Sequence, residues 1–403
     1  MRIAFVSSMY GSTWGGSEEL WGGAALRLRE LGHEVFCGLI DWPGPAPQRD
    51  ALRKAGCRVE VRTDVPGLKD RVLNRFRRTA RKINKQDPVP AALADFRPDL
   101  VVISQMFTDD GLEWMEFCRA RGLAYVTIVQ AASEYVWPGD ELVPRLRQGY
   151  LGADAAFFVS RHNLELCEKQ LATGLANARV VRNPFARGLD EPVPWPAPAD
   201  GVFRLACIGR LQPDAKGQDV AIDVLSSPKW RERPVALTFF GKGCNRQWVE
   251  DYSRLKGLEV RFGGFATPRE IWAGHHLLLH PARKEGMPIV VLEAALCGRG
   301  VVATAAAGIP EFVEDGVNGY LASFAKPELV DRALERAWQE RGAWEALGRR
   351  ARQAALRHVG DDPIEVFADL LAGLAGGGRL KSATPGAVPE RAEPGKQSGD
   401  ATS

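Results

Sequence analysis

Two glutamates stand with seven residues between them in Pro281–Gly298, PARKEGMPIVVLEAALCG. Glu285 lies in a polar loop, and Glu293 lies inside the otherwise apolar run Ile289–Leu296. Pro288 falls where a first helical position is expected, since the N–H it lacks would find no partner there. A helix apolar on every side is a buried helix. A carboxylate on it needs a hydrogen-bonding partner, which ligand hydroxyls can supply. At the helix's open end, the N–H groups of Ile289 and Val290 and the helix dipole suit an anion such as a phosphate. Glu293 lies about 7–8 Å further along the axis than Pro288. A diphosphate at the helix tip would have a carboxylate on each side, Glu285 toward a hexose and Glu293 toward a ribose.

Two cations fit the same picture. Arg210 ends the strand pattern Arg204–Gly209, and Lys216 precedes Gly217 and the next helix. Ligands of open α/β sheets bind outside the carboxyl ends of the strands, where both side chains start. The histidines cluster at His275, His276 and His280, on a helix end and a strand, and read as structural.

The elements that must hold these residues are strands alternating with helices. Strand-length apolar runs fall at Ile3–Ser7, Val35–Ile40, Leu100–Ser104, Ala124–Val129, Ala155–Ser160 and Arg179–Arg182. A second series falls at Arg204–Gly209, Ala236–Gly241, Glu259–Phe262, His276–His280 and Gly300–Thr304. Helical patterns such as Glu18–Leu31, Leu112–Arg121 and Asn163–Leu171 separate them. Continuous apolar strands between helices mean parallel sheets covered on both faces, and two series mean two doubly wound domains. The expected division is a first domain over residues 1–185, a linker over 186–201, proline-rich from Asp190 to Gly201, and a second domain over 202–360. Residues 361–375 are expected to form a helix that packs back on the first domain. Residues 376–403, rich in Gly, Pro, Ser and charge, read as a disordered tail.

Composition sets limits. The 403 residues suit two domains, and a net charge of +3 excludes a generally nucleic-acid-binding chain. Seven scattered cysteines without a C-x-x-C pair argue against a disulfide frame or zinc site and fit a reducing cytoplasm. The N-terminus has no signal-peptide layout, and no apolar run reaches membrane-spanning length. One segment is strongly basic: Lys69–Gln86 carries eight Lys/Arg and one Asp, with Val72, Phe76, Ala80 and Ile83 at helical spacing. Such a helix can lie on an anionic membrane, or simply pack on its own domain.

The paired glutamates are accompanied by G-R-L-Q-P-D-A-K-G (Gly209–Gly217), F-F-G-K-G (Phe239–Gly243) and A-A-G-I-P-E-F-V-E-D-G-V-N-G-Y-L (Ala306–Leu321). In this order, the four blocks resemble retaining glycosyltransferase family 4, of the GT-B fold. The resemblance implies two Rossmann-like domains facing a central cleft, with a C-terminal helix crossing back to the first. It implies transfer of a sugar from a nucleoside diphosphate sugar, UDP favoured over GDP, to a carbohydrate or lipid-linked acceptor, with no bound metal and no cofactor. Arg210 and Lys216 would grip the diphosphate, with Gly209 and Gly241 beside them. Glu285, with the backbone of Gly286, Met287 and Pro288, would face the donor sugar. Glu293 would hold the ribose, and Gly264 and Phe265 would contact the base. Gly15, Gly16 and Ser17, after the first strand, would close on the diphosphate.

Many relatives in that family carry a histidine near the reacting centre where this chain has Gln130. Glutamine hydrogen-bonds but cannot act as a base at neutral pH. No side chain is then an obvious base, in keeping with a front-face mechanism in which the departing phosphate takes the acceptor proton. Glu134 is a secondary candidate. The resemblance further suggests cell-surface polysaccharide or glycolipid synthesis. The rivals are another GT-B activity (phosphorylase or nucleotide-sugar epimerase), an NAD-dependent dehydrogenase, and a non-catalytic nucleotide-sugar binder. The dehydrogenase lacks its fingerprint, because Gly11–Ser17 reads G-S-T-W-G-G-S and not G-x-G-x-x-G.

Overall fold

The computed structural model describes residues 1–9, 14–42, 44–62, 83, 87–186, 188–197 and 200–378. The basic segment Lys69–Gln86, apart from Ile83, and the tail from residue 379 lie outside the described residues. Ile83 packs against the first domain's core.

The first sheet contains β1 (Arg2–Ser7), β2 (Glu34–Ile40), β3 (Arg58–Arg62), β4 (Leu100–Gln105), β5 (Tyr125–Val129), β6 (Ala155–Phe158) and β7 (Ala178–Val180). Its strands lie in the order β3-β2-β1-β4-β5-β6-β7. The second contains β8 (Phe203–Ile208), β9 (Val235–Phe240), β10 (Val260–Gly264), β11 (Leu277–His280), β12 (Gly300–Thr304) and β13 (Gly319–Ala322). Their order is β10-β9-β8-β11-β12-β13. Every pairing within both sheets is parallel. Central strands such as β4 and β5 are buried along their whole length, as helices on both faces require. The architecture is α/β, with two Rossmann-like domains.

Two edge strands escape the sequence reading. β3 (RVEVR) alternates charge with valine, and β13 (GYLA) has four residues. An edge strand has a neighbour on one side only and so needs no continuous apolar run. The patterns read as strands to Ser160 and Arg182 also end early, because Ser160 instead caps the helix Arg161–Leu171 by accepting from Asn163 N–H.

The last helix, Pro363–Ala375, starts with Asp362 as cap and Pro363 in its first turn. It buries Phe367, Ala368 and Leu371 in the first domain's core beside Leu20, Ala24 and Phe157. The segment read as a linker is tied along the second domain: Leu189 and Val193 enter that core, and the buried Arg299 donates to the carbonyls of Val193 and Pro194.

Candidate functional site

The carboxyl ends of the two sheets meet. Ala132, just after β5, donates its N–H to the Glu285 carbonyl at 2.7 Å, an antiparallel bridge between strand-end loops of the two domains. A Cβ on Gly286 would lie 2.0 Å from the Gln130 carbonyl oxygen, so only glycine permits this approach. Asn183 Nδ2 donates to the Met287 carbonyl, and Gly308 N–H donates to that of Gly286.

Glu285 is 6% exposed and holds two partners. Lys216 Nζ lies 2.5 Å from Oε1, and His280 Nε2, at the end of β11, lies 2.8 Å from the same atom. Burial pushes this carboxyl up, but Lys216 and His280 outweigh it and bring the pKa to about 2. Glu285 is therefore an anion at neutral pH. Lys216 is aimed by the turn at Gly217, whose φ is +68° and whose Cβ would collide with the Pro281 carbonyl.

Glu293 behaves in the opposite way. It is half-buried on the helix Ile289–Leu296, whose other residues are buried or half-buried, and burial pushes its carboxyl up to about 7. Ala186 N–H donates to it at 3.0 Å, which opposes that shift, and the nearby charge of Glu19 raises the pKa further. Pro288 precedes this helix in extended conformation (φ −70°, ψ 119°), one position earlier than the sequence suggests. The N–H groups of Ile289 and Val290 belong to the first turn and have no acceptor within the helix.

Opposite that helix tip stands a second one. Gly15 is the extended N-cap of the helix Gly16–Glu30, and a Cβ on Gly16 would lie 3.4 Å from Ile289 Cδ1. Two positive helix ends thus face one small volume across the domain junction. Ser17 Oγ donates to Glu18, whose other carboxylate oxygen accepts from Ser7 Oγ, both at 2.6 Å. Glu18 is buried, which raises its pKa, and Arg210 opposes that shift electrostatically. Among the described residues no ion pair or hydrogen bond occupies the Arg210 guanidinium. Gly209 and Gly241 pack backbone to backbone beside it, a Cβ on Gly241 falling 2.2 Å from the Gly209 carbonyl oxygen. Gly241 N–H donates to the Gly264 carbonyl, and Phe265 next to it is 89% exposed.

Gln130 is 5% exposed, and among the described residues neither its amide oxygen nor its amide nitrogen has a hydrogen-bond partner. A buried amide without partners is costly, so it marks a place where a ligand can repay the loss. Glu134, the secondary candidate, instead pairs with His162 at 2.9 Å.

Residues 202–340 match the family model described as glycosyl transferases group 1. The D-inositol 3-phosphate glycosyltransferase of Streptomyces bingchenggensis is 28% identical over 281 residues, which cover 65% of this chain and 58% of that protein. The glycogen synthase of Mycobacterium tuberculosis is 29% identical over 193 residues, 45% of this chain and 44% of that one. The matches thus span about half the length of these relatives. HepE of Anabaena, solved with UDP, superposes with a TM-score of 0.69 at 20% identity, covering 94% of this chain and 100% of that one. The chain has the GT-B fold, and its residues 202–340 match the group 1 glycosyltransferase model.

The group 1 domain supplies Arg210, Lys216, Glu285 and Glu293, while the first GT-B domain supplies Gln130 and Gly15–Ser17, and the structure brings these together at one junction. Phe265 lies on an exposed loop, next to the Gly264 that is bonded to Gly241. Three contacts escape the sequence reading. His280, read as structural, hydrogen-bonds Glu285; its place at a strand's carboxyl end, five residues before Glu285, was the available signal. Glu18 braces Ser17, and Glu311 accepts from the N–H groups of Arg161 and His162, capping a helix of the opposite domain. A cavity of about 210 Å³ lies behind the Met287 loop, lined by Val159, Arg182, Leu292 and His358, but Arg210, Lys216 and Glu285 do not border it. Among the described residues no helix is long and apolar enough to cross a membrane, and no group of three metal-ligating side chains occurs.

Proposed function

We propose that the chain is a retaining glycosyltransferase of the family 4 type, moving a hexose from a nucleoside diphosphate sugar, UDP favoured over GDP, to an acceptor hydroxyl without a bound metal. The observation that carries this reading is the Lys216–Glu285 pair, set beside Arg210 and facing Gln130 across the junction, both side chains without a hydrogen-bonding partner among the described residues. The group 1 match and the likeness to HepE, which was solved with UDP and with UDP-glucose, support it.

In this reading the diphosphate lies between the two helix tips, held by Arg210, Lys216 and the N–H groups of Ile289 and Val290. Glu293 takes the ribose hydroxyls, displacing its contact to Ala186. Glu285 accepts from hydroxyls of the donor sugar, and Gln130 fixes sugar or acceptor by hydrogen bonds. The sugar's C1–O bond to phosphate breaks as the acceptor oxygen bonds C1 on the same face. The acceptor proton passes to the departing phosphate oxygen, which leaves as the nucleoside diphosphate. The basic segment Lys69–Gln86 offers a contact to an anionic membrane face, which suits polysaccharide or glycolipid synthesis.

Calorimetric titration with UDP, GDP and NAD, with no metal added, tests this reading. Micromolar binding of UDP, lost in Arg210→Ala with Lys216→Ala, is expected. Binding of NAD alone, or of no nucleotide, overturns it.

A further inference from the structure

The loop Ala131–Leu142, AASEYVWPGDEL, leaves β5 directly at the junction. Its Ala132 is the residue bonded to Glu285. Three residues on, Tyr135 is 68% exposed, and Trp137 is 43% exposed. Tyr135 also lies close enough to Arg283, in the loop before Glu285, to interact with it electrostatically. The backbone beneath these rings is braced. Ser133 is buried and its Oγ accepts from Tyr135 N–H, Gln170 Nε2 donates to the Val136 carbonyl at 2.7 Å, and Glu134 pairs with His162.

Rigid aromatic rings on a fixed backbone offer contact area at little entropic cost. The loop's charge narrows what they can contact. It carries Glu134, Asp140 and Glu141 and no lysine or arginine, so it repels an anionic lipid surface, unlike the basic Lys69–Gln86 segment. Carboxylates beside aromatic rings match a sugar, which presents hydroxyls at its rim and C–H groups on its face.

We infer that this loop is the acceptor subsite, and that the acceptor is a saccharide whose terminal ring stacks on Tyr135 and Trp137 while its hydroxyls meet the Glu134–His162 pair. The inference rests on the transferase reading and names the acceptor class for that site.

Saturation-transfer NMR tests it. The full chain, with UDP present, is mixed with glucose, galactose, mannose, N-acetylglucosamine, maltose and cellobiose in turn. At least one is expected to receive saturation at its ring C–H protons. That sugar should bind about tenfold more weakly to Tyr135→Ala/Trp137→Ala. UDP affinity, measured by calorimetry, should be the same in both proteins. Unchanged saccharide binding in the variant, or no saccharide signal with the wild type, overturns the inference. So does binding to phosphatidylglycerol vesicles that falls in the variant, which would make the loop a membrane contact. Failure of the transferase reading is distinguishable, because UDP binding itself would then be missing.

Discussion

Binding of a UDP-sugar should release protons, and Glu293 is the source. In the free protein burial holds its carboxyl at about 7, so about half of it is protonated at pH 7. Ribose hydroxyls donate to the ionised form, and binding should draw the group back toward the ordinary carboxylate range. About half a proton should then leave per UDP-glucose bound at pH 7, and affinity should rise about tenfold between pH 6 and pH 8 as the ionised fraction grows. UDP-glucose is the better ligand here, because its doubly esterified diphosphate does not titrate in this range. The assay is calorimetry in phosphate and Tris, whose protonation enthalpies differ, repeated on Glu293→Gln. A heat independent of buffer, or a proton release that survives in Glu293→Gln, would refute the ribose assignment. The same group has a stability signature. Its folded pKa lies above the unfolded value near 4.5, so its contribution is present at low pH and fades as pH rises through about 7. The ligand-free wild type should therefore lose more stability than Glu293→Gln between pH 6 and pH 8.

Lys216→Met should lose nucleotide binding and about 3 kcal/mol of stability in urea unfolding at pH 7, because Glu285 stays buried with His280 alone. Glu285 has a depressed pKa, so the stability it contributes is present above about 4.5 and lost toward about 2; the Lys216→Met deficit should shrink over that window. Gln130→Leu should raise stability by about 1–2 kcal/mol, since two partnerless buried atoms are removed, while turnover falls; equal stability and full activity would count against a ligand role. Glu311→Ala should cost about 1 kcal/mol through the lost helix cap and increase the radius of gyration in small-angle scattering as the domains part. Gly286→Ala should abolish turnover and leave UDP binding measurable, because its Cβ blocks the approach to Gln130 rather than the second domain's own site.

Much of the fold was legible because parallel strands buried on both faces need continuous apolar runs, which leave a local signature in the chain. The helix Leu112–Arg121 and the strand Gly300–Thr304 fall where the pattern puts them. The edge strands β3 and β13 did not, since one-sided neighbours relax that demand. For the site, residue type and spacing marked Glu285, Glu293, Arg210 and Lys216, while the Gly15–Ser17 turn came from the family resemblance. Chain separation hid what the glutamates do: Glu285 meets a lysine 69 residues away, and Glu293 meets a backbone N–H 107 residues away. Both are glutamates near one helix, yet one is held at about 2 and the other at about 7. That difference comes from burial and charge supplied by distant segments. The sequence by itself determined which groups could hold a diphosphate and two sugars; only the tertiary structure decided which carboxylate is charged and which one titrates.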